Sequence, residues 1–296
     1  MSAASEGASN SQHIESLTAT DLSDELEEVH SLLRIILKGP IGIQIDSAII
    51  EIAKKREKIP NLALIIWNTP GIMTVLLLKL IKVYSLLNPP TLNREESSSV
   101  CNTLGLLQLL ATHPVTKIHL IQANFPLYLY PFLNTVSPSK NFEYLRLTSM
   151  GVIGALVKVD DPRVISFLLQ SEMTPICLRI MEIGTDLSKT VSTFILLKIL
   201  ADQNGLAYVC KVRERYMHVI DTLRKLLDQN FTSSHRLILH ILKCCIYLIS
   251  SEVIQNEFKN FLPNVLQNLY SHLDAKDPKN EEIIEIIILL FNKINK

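Results

Sequence analysis

An all-α solenoid built from units in the mid-forties of residues is the fold this sequence predicts, and three observations predict it. Apolar residues recur at i, i+3, i+4, i+7 almost throughout, while alternating β-branched runs bounded by turn dipeptides are absent. Four long apolar segments, 97–113, 143–161, 187–204 and 233–252, begin 46, 44 and 46 residues apart. The linkers repeat as well: His113-Pro114 and Asp161-Pro162 each close a long helix and open a short one, and Pro126 and Pro175 follow at matching places. Proline suits a first helical position, where its missing N–H is not needed. A period of this size is that of armadillo and HEAT arrays, whose helices bury their faces only against neighbouring units. The unit reads as short helix, proline-punctuated turn, middle helix, loop and long helix, with Pro263 marking one further turn. That outline is a three-helix armadillo unit, stacked into a right-handed superhelical solenoid.

In chain order, residues 1–20 are small and polar with no apolar stretch of leader type, and are expected to be a disordered tail. Residues 22–38 make a first helix, opened by Ser23-Asp24-Glu25-Leu26. Segments 44–58 and 71–87 continue the helical spacing and are stopped by Pro60, Pro70 and Asn88-Pro89-Pro90. The four long helices with their shorter companions follow. A capping helix over 280–295 has acids first and lysines last, which complements the helix dipole. No long polar linker interrupts the array, so residues 21–296 are expected to form a single armadillo-repeat domain.

Composition limits the chemistry. Of 296 residues only 9 are glycine, about 3% where roughly 7% is usual, which disfavours phosphate-cradling loops. Lys+Arg and Asp+Glu both number 29, so no whole-protein field attracts nucleic acid and any such binding must rest on a local patch. The five cysteines lack a C-x-x-C pair and sit in apolar runs, as buried thiols of a reducing compartment do. The longest uncharged stretches, 97–116 and 118–139, are interrupted by Asn, Gln, His and Pro, and a soluble protein without membrane contact is expected.

No catalytic kit is present: G-x-S-x-G, H-E-x-x-H and Walker patterns are missing. His235 and His240 stand at i, i+5 on different helix faces with no carboxylate to complete a ligand set, so no metal, cofactor or catalytic residue is expected. Asp160-Asp161, next to Pro162, reads as a helix-junction cap. Two features stand above this background. Gly151 and Gly154 lie inside a strongly apolar helix, where each costs about 1 kcal/mol relative to Ala, so either a neighbouring helix or a partner approaches closely. Lys211, Arg213 and Arg215 with Tyr216 could hold an acidic peptide, a phosphate or an aromatic ring, and a solvated helix face explains them equally well.

The run FEYLRLTSMGVIGALVK (142–158), with KKREKIPNLA (54–63), NPPTL (88–92), PLYLYPFLNTVS (126–137), CLRIME (177–182), LSKTVSTFILLKIL (187–200) and GLAYVC (205–210), resembles the Rcd-one/Caf-forty (cell differentiation) family. That family is the armadillo-repeat subunit of the CCR-NOT deadenylase complex, and the match covers roughly residues 47–263. The resemblance implies a non-enzymatic adaptor that docks on the large Not scaffold subunit and captures peptide motifs of RNA-binding or silencing proteins. It implies a concave groove for a helical peptide at Tyr144, Gly151 and Val191, and scaffold contact around Trp67, Thr74 and Ile81. Outer-surface pockets for tryptophans are matched by Arg215, with Arg213 where the family has an aromatic, and a basic cleft by Arg236 alone. The implied location is the cytoplasm, with the nucleus as a second; homodimerisation stays open. A solenoid that binds nucleic acid directly is the alternative function.

Overall fold

The structure, a computed structural model, describes residues 19–39, 42–229, 234–274 and 276–294. All regular structure among them is helical. Two helices, α1 (Ala19–Lys38) and α2 (Ile43–Lys54), open the chain. Four three-helix units follow: α3 (Leu62–Asn68), α4 (Ile72–Lys82) and α5 (Arg94–Thr112); then α6 (Pro114–Gln122), α7 (Tyr130–Leu133) and α8 (Lys140–Val157). The third is α9 (Pro162–Gln170), α10 (Met173–Ile183) and α11 (Asp186–Ala201), and the fourth α12 (Gln203–Cys210), α13 (Arg213–Gln229) and α14 (His235–Ile249). The pair α15 (Glu252–His272) and α16 (Glu281–Ile294) closes the array.

The third helix of each unit packs on the next, so that α2, α5, α8, α11, α14 and α16 form one continuous ladder. The ladder helices within the array have a neighbouring ladder helix on each side, so much of each is buried. In α8, for example, Phe142, Leu145, Met150, Val152, Ile153, Leu156 and Val157 are all buried. The apolar core follows the ladder in two stretches that meet at α10 and α11.

Boundaries follow from local chemistry. The His113 side chain accepts hydrogen bonds from the Val115 and Thr116 amides and caps α6. Asp161 accepts from the Arg163 amide at 3.0 Å and caps α9, as expected for the junction, while Asp160 pairs with Lys198 at 2.7 Å. Between the first and second helices of the first three units the chain turns through a left-handed residue: Gly71 (φ 89°), Asn124 (φ 52°) and Glu172 (φ 56°). Glycine has no Cβ to oppose this conformation, and Asn tolerates it better than most residues. Pro126 and Pro175 come two and three residues after such a turn, so the two prolines mark equivalent places.

Pro263 does not mark a turn. It lies inside α15, because Phe258, Leu262, Val265, Leu266 and Leu269 are buried on both sides of it and hold the helix continuous through the missing N–H. Of the expected tail, Ala19 and Thr20 belong to α1, and residues 1–18 lie outside the described ones. Cys177, Cys244 and Cys245 are buried, and burial pushes their thiols up; Cys101 and Cys210 are only half-buried, contrary to expectation, Cys101 because it lines surface cavities and Cys210 as the last residue of α12. No single helix among the described residues is long and apolar enough to cross a membrane.

Candidate peptide groove on the helix ladder

The start of α8 is fixed by an ionic knot. Arg146 is buried, and its guanidinium donates to the Thr135 and Ser137 carbonyls at 3.1 and 2.9 Å and to Glu143 at 2.8 Å. The other oxygen of Glu143 accepts from the Thr185 amide (3.1 Å), the Thr185 hydroxyl (2.7 Å) and the Ser188 hydroxyl (2.7 Å) at the start of α11. Burial alone would raise the Glu143 pKa, but hydrogen bonds from Ser188, Thr185 and Arg146 outweigh it and bring it to about 2. One ionised carboxylate therefore sets the stagger of α8 against α11.

Two successive cavities lie along α8. The first, about 530 Å³, lies between the beginnings of α5 and α8 and is lined by Tyr144, Arg94, Ser98, Cys101, Lys140 and Thr148 among others. Tyr144 is 58% exposed there. The second, about 450 Å³, is lined by Gln108 and Thr112 of α5, Gly151, Gly154 and Ala155 of α8 with the adjoining Lys158, Thr190, Val191 and Phe194 of α11, and Arg236 and His240 of α14. Gly151, Val191 and Arg236 are thus brought to one cavity, while Tyr144, two turns before Gly151 on the same helix face, opens into the adjacent one.

Neither helix glycine is demanded by the chain's own packing. A Cβ on Gly151 would meet the Gln108 side chain at 3.4 Å, and one on Gly154 would meet Val191 at 3.6 Å, both ordinary contacts. The close approach of a neighbouring helix is therefore not the reason for them. Sequence reasoning missed Lys158, Phe194, Gln108 and Thr112. Lys158 stands seven residues beyond Gly151 and Phe194 three beyond Val191, so helical spacing pointed to both. His240 packs on Phe194 with ring centroids 5.6 Å apart, and burial, with Lys243 and Arg236 nearby, lowers its pKa. Among the described residues no cluster of His, Cys, Asp and Glu could hold a metal ion.

The remaining predicted residues lie elsewhere. On α4, Thr74, Leu78 and Ile81 fall at i, i+4, i+7 and form an exposed stripe, while Ile72, Leu76 and Leu80 are buried behind them. Trp67 is half-buried on α3, its ring 5.2 Å from that of His119. Arg215 lies over the Tyr208 ring at 3.7 Å and donates to the Tyr208 carbonyl; Arg213 is exposed and pairs with Glu257 at 3.5 Å. Both guanidiniums are thus engaged within the chain.

Solved structures with similar architecture include a designed armadillo repeat protein, YIII(Dq)4CqI, with TM-score 0.63 at 15% identity over 91% of this chain and 99% of that one. Another designed armadillo repeat protein, solved in complex with the peptide (KR)4, gives TM-score 0.58 at 16% identity over 90% and 98%. At such identities the likeness shows the armadillo fold. Among relatives, the Cell differentiation protein rcd1 of Schizosaccharomyces pombe is 48% identical over 81% of this chain and 85% of its own length. Protein CAF40 of Saccharomyces cerevisiae is 43% identical over 85% and 68%. Residues 40–289 match the model of the cell differentiation family, Rcd1-like, and with relatives of that identity over most of its length the chain belongs to this family.

Proposed function

We propose that the chain is a non-catalytic adaptor subunit of the CCR-NOT deadenylase complex. It docks on the large Not scaffold subunit and holds short helical peptide motifs of RNA-binding or silencing proteins in the groove along α8, linking them to mRNA deadenylation, decay and translational repression. The observation that carries this reading is the cavity at Gly151 and Val191: two helix glycines whose Cβ the chain's own packing would admit at ordinary contact line it beside Ala155, Val191 and Phe194, leaving room for a helix to approach closely. Docking on the scaffold rests on the exposed Thr74, Leu78, Ile81 stripe of α4, whose apolar members call for a covering partner. The work is done in the cytoplasm and, where the complex is present, in the nucleus.

Affinity purification of the full chain with identification of the co-purifying proteins tests this. The large Not subunit and RNA-binding adaptors should be recovered together. Recovery of RNA alone, released by moderate salt, would favour direct nucleic-acid binding, for which Arg236 in the cavity is the supporting residue.

A further inference from the structure

The two cavities along α8 share a charge pattern unlike the rest of the chain. Lys+Arg and Asp+Glu are equal in number over the whole sequence, yet four cations and no carboxylate line the pair of cavities among the described residues. Arg94 and Lys140 stand at one end, Lys158 and Arg236 at the other, all four exposed. Among the described residues none has a carboxylate partner, whereas nearby Lys198 is paired with Asp160 and Arg146 with Glu143. Between the two ends lie the aromatic ring of Tyr144, the two glycines and the aliphatic Val191, together with the uncharged side chains of Thr148, Gln108 and Thr112. Lys140 and Lys158 are eighteen residues apart, which spans about 27 Å of helix.

We propose that the occupant of this groove is an amphipathic helix of about eighteen residues with an apolar middle and carboxylates in both terminal turns. This deepens the adaptor reading and rests on it. Unpaired cations at the two ends of an apolar strip favour an acidic partner over a neutral or basic one, whichever way the peptide runs. The middle of the groove has no charge to match, so uncharged side chains suit it, apolar ones against Tyr144, the glycines and Val191.

The probes are three capped eighteen-residue peptides that share one Leu/Ala amphipathic helix and carry Glu, Gln or Lys in both terminal turns. A twelve-nucleotide single-stranded uridine RNA is the fourth. Binding to the full chain is measured by calorimetry at low and at high salt. The Glu peptide should bind about tenfold tighter than the Gln peptide at low salt, as several partly exposed ion pairs allow, and the advantage should vanish at high salt. Arg94→Glu/Lys140→Glu and Lys158→Glu/Arg236→Glu should each cut that preference severalfold without changing the melting temperature, and together should transfer it to the Lys peptide. Gly151→Trp should abolish binding of the Glu and Gln peptides. Equal affinity for Glu and Gln peptides, both blocked by Gly151→Trp, would overturn the charge inference and leave the groove standing. Peptide binding that is absent or indifferent to Gly151→Trp would overturn the groove and the inference together. RNA that displaces the Glu peptide and is lost in the same reversal variants would make this a nucleic-acid site and overturn the inference.

Discussion

Removing the Glu143 carboxylate tests whether the stagger of α8 on α11 rests on one charge. In Glu143→Ala the Arg146 guanidinium, 2% exposed, stays buried without its counter-ion, and the Thr185 amide and the Thr185 and Ser188 hydroxyls lose their acceptor. Breaking a fully buried pair from one side costs about 3–5 kcal/mol. Glu143 is 15% exposed, so water relieves part of this and about 3 kcal/mol is expected. For a chain of this length that is a fall in Tm of roughly 4–6 °C. The pH dependence supplies the sign. The Glu143 pKa is depressed from 4.5 to about 2, so its contribution is fully present above pH 4.5 and is lost as pH falls toward 2. Allowing for solvent screening, the ionised carboxylate accounts for about 2 kcal/mol of the difference. Thermal melts of the native chain and the variant at pH 7 and pH 3 should show a wide gap at pH 7 that narrows by more than half at pH 3. A gap of equal size at both values would refute an ionic origin, and no gap at pH 7 would refute the knot altogether.

Gly151→Ala places a Cβ at ordinary contact with Gln108 inside a helix; it should raise stability by about 0.5–1 kcal/mol in denaturant melts while weakening peptide binding several-fold. Thr74→Glu with Ile81→Glu should abolish co-purification of the large Not subunit yet change stability by less than about 0.5 kcal/mol, since both side chains are exposed; unchanged co-purification would point to another face. Arg215→Ala removes the stacking on Tyr208 and a hydrogen bond to its carbonyl, and should lower stability by about 1 kcal/mol in the same melts.

The long ladder helices were legible because burial on nearly all sides writes a dense apolar pattern, and because His113-Pro114 and Asp161-Pro162 punctuate it where Pro is tolerated. Pro126 and Pro175 follow residues in the left-handed conformation, and that pair misled the expectation for Pro263. No such residue stands two or three positions before Pro263, and the apolar positions from Phe258 to Leu269 run through it at helical spacing. The groove was legible in part. Gly151 stood out as an expensive residue in a helix, but its meaning came from resemblance, and only the structure places its Cβ direction beside Gln108 instead of against a packed helix. The cations at Arg94 and Lys158 could not be assigned to one groove from sequence, because that depends on the stagger of α5, α8 and α11. Between α8 and α11 it includes contacts of Glu143 with Thr185 and Ser188, more than forty residues away along the chain.

The claim that the α8 groove holds a partner's helix is tested most directly by Gly151→Trp, with peptide affinity and melting temperature measured on the same preparation. The indole would enter a cavity of about 450 Å³ that already accommodates a Cβ at that position. The account predicts that binding of the Leu/Ala amphipathic peptide falls by more than about tenfold while Tm moves by no more than about 2 °C, since filling existing space costs little packing. A large fall in Tm accompanying lost binding would mean that Gly151 serves the core, and undiminished binding would mean that the peptide lies elsewhere; either result would contradict the account.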